Sequence, residues 1–139
     1  MNADAPIVET AVRIVRREDI LTARKTVRAA ARALGLATVD EARIVTIMSE
    51  LAKNACIHAG AGEARVGVRS LPDRDQILVE VEDAGPGIPD VSAALSVGFS
   101  TNGGHGLGLP AVNRLAKSLI IDTRPGKTVV AALFESARA

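Results

Sequence analysis

Residues 49–58 read Ser-Glu-Leu-Ala-Lys-Asn-Ala-Cys-Ile-His, and three of their polar side chains recur at every fourth position. Glu50, Asn54 and His58 form one ridge if this segment is helical, because side chains four residues apart lie one above the other. Apolar residues here recur at three- and four-residue intervals, as in a helix packed on a core. They are Ile44, Ile47, Met48, Leu51 and Ala55. Glu50 lies about 100° from Leu51 around such a helix, so we expect the polar ridge to line a pocket beside the core.

The rest of the chain predicts strands in consecutive pairs, with helices between them. Thr38 and Glu41 have the Thr-x-x-Glu spacing of a capping box, which marks the start of the ridge-bearing helix. Gly35 and Gly60 are expected to end the two long helices. The predicted strands cover residues 7–16, 63–71, 76–83, 118–123 and 128–134, and the predicted helices cover residues 18–34, 38–59, 91–97 and 107–117. This order favours an α+β, two-layer sandwich with its helices on one face of a mixed, mainly antiparallel sheet.

Length and composition limit the class of protein. The 139 residues fit one domain, spanning residues 1–139. A formal net charge of +1 and only two aromatic residues, Phe99 and Phe134, are unlike a nucleic-acid binder, which needs positive charge and stacking platforms. No apolar run approaches the ~20 residues of a membrane-spanning helix. Cys56 is the only cysteine, which excludes an intrachain disulfide and predicts a reducing, cytoplasmic location.

Two glycine-rich segments follow the ridge-bearing helix. Residues 82–87 read Glu-Asp-Ala-Gly-Pro-Gly, and residues 103–109 read Gly-Gly-His-Gly-Leu-Gly-Leu. Together with Glu50-x-x-x-Asn54, their order and spacing resemble the three nucleotide-binding boxes of the GHKL (Bergerat-fold) ATPase superfamily. The resemblance covers most of residues 38–117. Within the superfamily, the small size and the sequence between positions 98 and 110 are most similar to the bacterial anti-sigma and switch serine/threonine kinases.

The resemblance implies a site for ATP and Mg²⁺. Asp83 would accept a hydrogen bond from the adenine amino group, and Gly85 and Gly87 would let the base lie against the backbone. Asn54 would offer Mg²⁺ an amide oxygen, a type of ligand that this ion accepts. Glu50 is the implied catalytic residue, which would orient or deprotonate the attacking hydroxyl. The other implied nucleotide-binding residues are Ile88, Thr101, Gly104, His105, Gly106, Leu107 and Gly108.

The resemblance also implies a protein partner. We expect neither a second domain with a catalytic lysine nor a helix pair with a phosphoacceptor, so the phosphoacceptor should belong to another protein. The implied substrate is a serine or threonine of a STAS-domain antagonist in a stressosome or another sigma-factor control pathway. The alternative is a binding switch that holds a sigma factor or activates a metal-dependent serine/threonine phosphatase. In that alternative, nucleotide serves only to set the conformation.

Two features of the helices leave alternatives open. His58 either takes part in the site or only packs near the end of its helix. Residues 24–32 place four basic side chains on one face of the first helix. This face is either solvated or a docking surface for an acidic partner.

Overall fold

The computed structural model describes residues 8–96 and 108–138, which form five strands and four helices. In chain order they are β1 (Val8–Ile14), α1 (Arg17–Ala33), α2 (Thr38–His58), β2 (Gly62–Ser70), β3 (Arg74–Asp83), α3 (Val91–Leu95), α4 (Leu109–Leu115), β4 (Ser118–Arg124) and β5 (Lys127–Ala137). The strands form one sheet in the order β1-β2-β3-β5-β4. Each neighbouring pair of these strands is antiparallel.

The core lies between the helices and one face of the sheet. Alternate residues of the central strands are buried there, because successive side chains of a strand point to opposite faces. The buried strand residues include Ile77, Val79, Val81, Val130, Ala132 and Phe134, and the buried helix residues include Ala23, Val27, Ile44, Ile47, Met48, Leu51 and Ala55. Ile120, by contrast, is 66% exposed. The expected α+β arrangement, with helices over a mainly antiparallel sheet, is confirmed.

Two hairpins carry the segments that surround the predicted site. β2 and β3 pair as expected, and Asp83 is the last residue of β3. β4 and β5 are joined by Pro125 and Gly126, and Gly126 has a φ of +92°, as the third position of a type II turn requires. The amide of Gly126 donates a hydrogen bond of 2.8 Å to the carbonyl of Gly85. The second hairpin therefore contacts the loop that follows Asp83.

The N-termini of the long helices differ from expectation in one respect. Thr38 is the first helical residue of α2 rather than its cap, and Ala37, at the cap position, makes no side-chain hydrogen bond. The capping-box prediction at Thr38 was therefore wrong, because the helix begins one residue too early for the threonine hydroxyl to cap it. In α1 the Asp19 carboxylate accepts hydrogen bonds from the amides of Val15 and Arg16, at 2.8 and 2.9 Å. Of these two long helices, α1 is the one whose N-terminal amides bond to a side chain.

The last helix is shorter than the sequence predicts. α4 spans Leu109–Leu115 instead of 107–117, and Pro110 lies in its first turn as expected. At its C-terminal end the backbone is already extended at Ala116, and the amide of Lys117 donates to the carbonyl of Leu133 at 2.7 Å. Hydrogen bonding to β5 therefore begins at Lys117, directly after the extended Ala116. No helix in the part of the chain that the structure describes is long and apolar enough to cross a membrane.

Replacing isoleucine with alanine at one buried and one exposed position of α2 should separate the contribution of packing to stability from that of helix propensity. Ile47 is fully buried and Ile57 is 57% exposed. Ile47→Ala should lower the free energy of unfolding by about 2–5 kcal/mol through lost burial and a cavity. Ile57→Ala should change it by less than about 0.5 kcal/mol. Chemical denaturation of both variants measures this, and equal losses would contradict the assignment of the buried face.

A second prediction concerns pH. Hydrogen bonds from the amides of Arg16 and Val15 hold the pKa of Asp19 below its ordinary value. A carboxyl group whose folded-state pKa is lowered stabilises the fold above its unfolded-state pKa, and this contribution is lost as the pH falls through the folded-state value. The difference in thermal midpoint between the wild type and Asp19→Ala should therefore be full at neutral pH and disappear in acid.

Glu18→Ala serves as the control, because the Glu18 carboxylate is highly exposed and lies 3.7 Å from Arg16 Nε. Such a surface pair contributes little, so its variant should show a smaller dependence on pH. If the deficit of Asp19→Ala persisted undiminished at a pH below the folded-state pKa, the carboxylate charge would not be its cause.

Candidate functional site

A cavity of about 330 Å³ opens between the C-terminal half of α2, the end of β3 and the loop after it. Its volume is within the range of roughly 300–1,000 Å³ that small-molecule sites occupy. It is lined by Leu51, Asn54, His58, Ala59, Val81, Asp83, Pro86, Gly87, Ile88, Pro89, Asp90, Ala94, Thr128 and Val130. Most of this wall is apolar, with Asn54, His58, Asp83 and Thr128 among its polar members. Such a cavity suits a flat, largely apolar group with a few polar atoms.

The α2 wall carries the predicted polar ridge. Asn54 and His58 line the cavity. Glu50 lies one helical turn before Asn54 and is outside the cavity lining, with 25% of its side chain exposed. Its carboxylate oxygen lies 3.4 Å from the ammonium nitrogen of Lys53. The ridge therefore runs from the cavity, through Asn54, to a carboxylate at its rim.

Glu50 also meets the start of α4. Gly108 has a φ of +67° and occupies the N-cap position of that helix. A Cβ atom at this position would overlap the Glu50 carboxylate. The left-handed backbone conformation favours glycine at position 108, and a larger residue there would also displace the Glu50 carboxylate.

The opposite wall is the loop after β3. Asp83 Oδ1 accepts a hydrogen bond of 2.9 Å from the amide of Gly85. A Cβ atom at Gly85 would come within 2.7 Å of the Ala59 Cβ, so this loop passes directly beside the end of α2. Gly87 has a φ of +87° and lies against the backbone of Arg124. The first two predicted motifs are therefore brought together around one cavity.

Two threonines of the second hairpin belong to the same wall and were not predicted. Thr123 Oγ1 accepts a 2.9 Å hydrogen bond from the amide of Ile88, and it lies 2.8 Å from Thr128 Oγ1. Thr128 is 4% exposed and lines the cavity. The sequence does predict that residues 123 and 128 flank one turn. It does not predict that β5 pairs with β3 so that Thr128 lies opposite Asp83.

Within the second glycine-rich segment, residues 103–109, the structure describes Gly108 and Leu109. Gly108 is placed by the structure, whereas Thr101, Gly104, His105, Gly106 and Leu107 lie outside the described residues.

Two ion-pair clusters on the sheet contain groups with shifted pKa values. The pKa of Arg65 is raised by a hydrogen bond to Glu80, and the pKa of Glu135 is lowered by a hydrogen bond from Gln76. These groups belong to ion-pair clusters on the sheet and are not among the residues that line the cavity. They stabilise strand pairing, as cross-strand charge pairs do.

Residues 39–137 match the family described as "Histidine kinase-, DNA gyrase B-, and HSP90-like ATPase". Serine/threonine-protein kinase RsbT of Bacillus subtilis (strain 168) is 42% identical over 121 residues, which are 86% of this chain and 90% of RsbT.

Two solved structures show the same fold at low sequence identity. A chain of the SiaB-SiaC complex from Pseudomonas aeruginosa gives a TM-score of 0.59 at 13% identity, covering 97% of this chain and 94% of that chain. A nucleotide-free form of the catalytic domain of histidine kinase ThkA gives a TM-score of 0.52 at 17% identity, covering 93% and 95%.

The cavity is bordered by residues from the predicted motifs, and the family match spans the elements from α2 to β5. The likeness to RsbT extends over most of both chains. The chain therefore belongs to the histidine kinase-, DNA gyrase B- and HSP90-like ATPase family and, within it, to the family of serine/threonine-protein kinases that includes RsbT.

Proposed function

We propose that this protein transfers the γ-phosphoryl group of ATP to a serine or threonine of a STAS-domain antagonist in a bacterial partner-switching pathway. One observation carries the proposal. Asp83, whose carboxylate accepts a hydrogen bond from the Gly85 amide, and Asn54 line one cavity, and Glu50 lies one turn before Asn54 on α2. The 42% identity to a serine/threonine kinase supports the reaction type.

At the base-binding end, Asp83 is proposed to accept a hydrogen bond from the adenine amino group. The amide of Gly85 holds one oxygen of this carboxylate. This bond fixes the side-chain orientation before nucleotide arrives, which lowers the entropy cost of binding. Gly87 and Ile88 line the same cavity, and their backbone would lie against the base.

At the phosphate end, Asn54 is proposed as the Mg²⁺ ligand. Its amide side chain lines the cavity, and an amide oxygen suits the preference of Mg²⁺ for hard oxygen ligands. The ion would supply positive charge that neutralises the phosphates. The phosphate site is proposed to be completed by Thr101, Gly104, His105, Gly106, Leu107 and Gly108, whose backbone amides would donate to the phosphates.

Glu50 is proposed as the general base. Its carboxylate would accept the proton of the attacking hydroxyl, the role that a positioned acid plays in phosphoryl transfer to a side chain. Lys53 pairs with it at 3.4 Å, and Gly108 leaves the space that it fills. The carboxylate stays partly exposed beside these two residues, where a protein substrate can reach it.

The phosphoacceptor is proposed to be a separate protein, and the stressosome is the assembly that we propose for it. RsbT is named a serine/threonine-protein kinase, and the matched SiaB chain was solved as a complex with SiaC. We further propose that the protein uses ATP and acts in the cytoplasm. Neither nucleic acid nor a membrane takes part in this proposal.

Asp83→Asn should weaken nucleotide binding. The amide presents hydrogen-bond donors where the carboxylate presents only acceptors, so it meets the adenine amino group less well and loses the charge that favours the bond. We expect ATP affinity to fall by at least about tenfold, as for loss of a hydrogen bond to a charged group. Calorimetric titration with Mg-ATP and Mg-ADP measures it.

Asp122→Asn is the matched control, because Asp122 is an exposed residue of β4 outside the cavity lining. Its nucleotide affinity should equal that of the wild type. Equal affinity of Asp83→Asn and wild type would refute the assignment of the base-binding end.

Glu50→Gln should remove phosphoryl transfer while nucleotide binding is retained. A general base contributes typically 10²–10⁴-fold, so transfer to a STAS-domain protein of the source genome should slow by at least about a hundredfold. Transfer is followed as acid-stable radiolabel from γ-labelled ATP, and nucleotide affinity is measured alongside.

Glu9→Gln, on the exposed strand β1, should leave both quantities unchanged. If Glu50→Gln transferred phosphate at the wild-type rate, Glu50 would not be the base. If the wild type bound nucleotide and the STAS proteins but labelled none of them, the binding switch would replace the kinase as the proposed function.

A further inference from the structure

Glu50 is flanked on α2 by two polar residues that lie on opposite sides of it. Asn54 follows Glu50 by four residues and Lys53 follows it by three, which places them at about +40° and about −60° from Glu50 around the helix axis. Asn54 lines the cavity, whereas Lys53 is outside the cavity lining and exposed. Asn54 therefore marks the nucleotide side of Glu50, and Lys53 marks the side that faces solvent.

The ammonium group of Lys53 can bind a second carboxylate. It lies 3.4 Å from a carboxylate oxygen of Glu50, and within residues 8–96 and 108–138 this is the ion pair that the structure gives it. An ammonium group has three hydrogens to donate, and 48% of the Lys53 side chain is exposed. A carboxylate that arrives from the solvent can therefore bind Lys53 while the contact with Glu50 persists.

The part of α2 around Lys53 is open to another protein. Thr46 and Ile57 lie at about −40° and about −20° from Glu50, on the same side of the helix as Lys53. Both residues are exposed, and Ile57 keeps 57% of its surface in contact with solvent. A protein that brings a hydroxyl to Glu50 therefore approaches over this side of α2 and meets Lys53.

An acidic residue near that hydroxyl would need a cation beside it. Glu50 is a carboxylate, and ATP would bring further negative charge to the neighbouring cavity, so a third anion there is unfavourable without compensation. Lys53 supplies the compensating positive charge. Consecutive Cα atoms are only about 3.8 Å apart, so a carboxylate close in sequence to a hydroxyl held at Glu50 can reach the Lys53 ammonium group.

We propose that Lys53 is a specificity-determining residue, which binds an aspartate or glutamate located within two residues of the phosphoacceptor serine or threonine of the partner protein. This inference rests on the proposed function, since the acceptor hydroxyl is the one that Glu50 is proposed to deprotonate. The nucleotide is the other anion near Glu50. Because Lys53 and Asn54 lie on opposite sides of Glu50, the partner is the ligand that the geometry favours.

Lys53→Met tests the role of the positive charge. Initial rates of phosphoryl transfer are measured at saturating Mg-ATP, over a range of concentrations of the STAS-domain protein that the wild type labels. We expect KM for this acceptor protein to rise at least about fivefold, the upper end for one partly exposed ion pair. The value of kcat should stay within about twofold, because binding is lost equally in the ground state and the transition state.

Two further variants serve as controls. Lys53→Arg keeps the positive charge and should keep KM near the wild-type value. Lys117→Met removes an exposed lysine that is outside the cavity lining, and it should leave KM and kcat unchanged.

The acceptor protein provides the matching half of the test. Mass spectrometry of the labelled protein locates the phosphorylated residue and any acid within two positions of it. Replacing that acid by its amide should raise KM as Lys53→Met does, and combining the two changes should raise it little further, because both remove one contact. This half leaves the kinase unaltered, so it is decisive even if Lys53→Met lowers stability.

Four results would overturn the assignment of Lys53 while the proposed function stands. They are an acceptor with no acid within two residues of the labelled side chain, an unchanged KM in Lys53→Met, full multiplication of the two losses when the changes are combined, and a fall in kcat at unchanged KM. The last result would assign Lys53 to the γ-phosphoryl group instead. A wild type that labels no STAS-domain protein would overturn the proposed function, and this inference with it.

Discussion

The packing of α2 on the sheet is the constraint on which the site depends. One side of this helix contributes Ile44, Ile47, Met48, Leu51 and Ala55 to the core, each at most 1% exposed. Rotation of the helix about its axis would expose these residues, at a cost of about 25 cal/mol per Å² of apolar surface. The core therefore fixes the direction in which Glu50, Asn54 and His58 point. The polar ridge acquires its position from hydrophobic burial, with no interaction of its own required.

Small residues set how closely the end of α2 approaches the sheet. A Cβ atom at Gly62 would lie 2.8 Å from the Ala55 Cβ and 2.6 Å from the Glu82 carbonyl oxygen, and one at Gly85 would lie 2.7 Å from the Ala59 Cβ. Glycine faces alanine at both contacts. The helix and the loop after β3 thus meet at backbone distance. Larger side chains at either pair would separate Asn54 from Asp83 and widen the cavity between them.

The parts of the fold that were predictable from sequence are those determined by neighbours in the chain. Periodicity identified the helices and both hairpins, and the position of Asp83 at a strand end followed from the alternation of β3. The roles of Thr123 and Thr128 did not follow, because the register between β3 and β5 joins strands that are distant in sequence and is set by tertiary packing. At Thr38 a local pattern predicted a feature that the structure lacks. The spacing fits a capping box, but the helix begins at the threonine itself.

The two ends of the site differ in how firmly they are held. At the proposed base-binding end, Gly85, Ile88 and Thr123 engage in partly buried hydrogen bonds, and the loop is also joined to the second hairpin through Gly126. At the rim, Glu50 pairs with Lys53, whose side chain is 48% exposed. A surface pair of this kind contributes only about 0–1 kcal/mol, so Glu50 can exchange Lys53 for another donor at little cost. For the proposed function, a rigid end suits the recognition of one invariant base, and an adjustable carboxylate suits a hydroxyl that arrives on another protein.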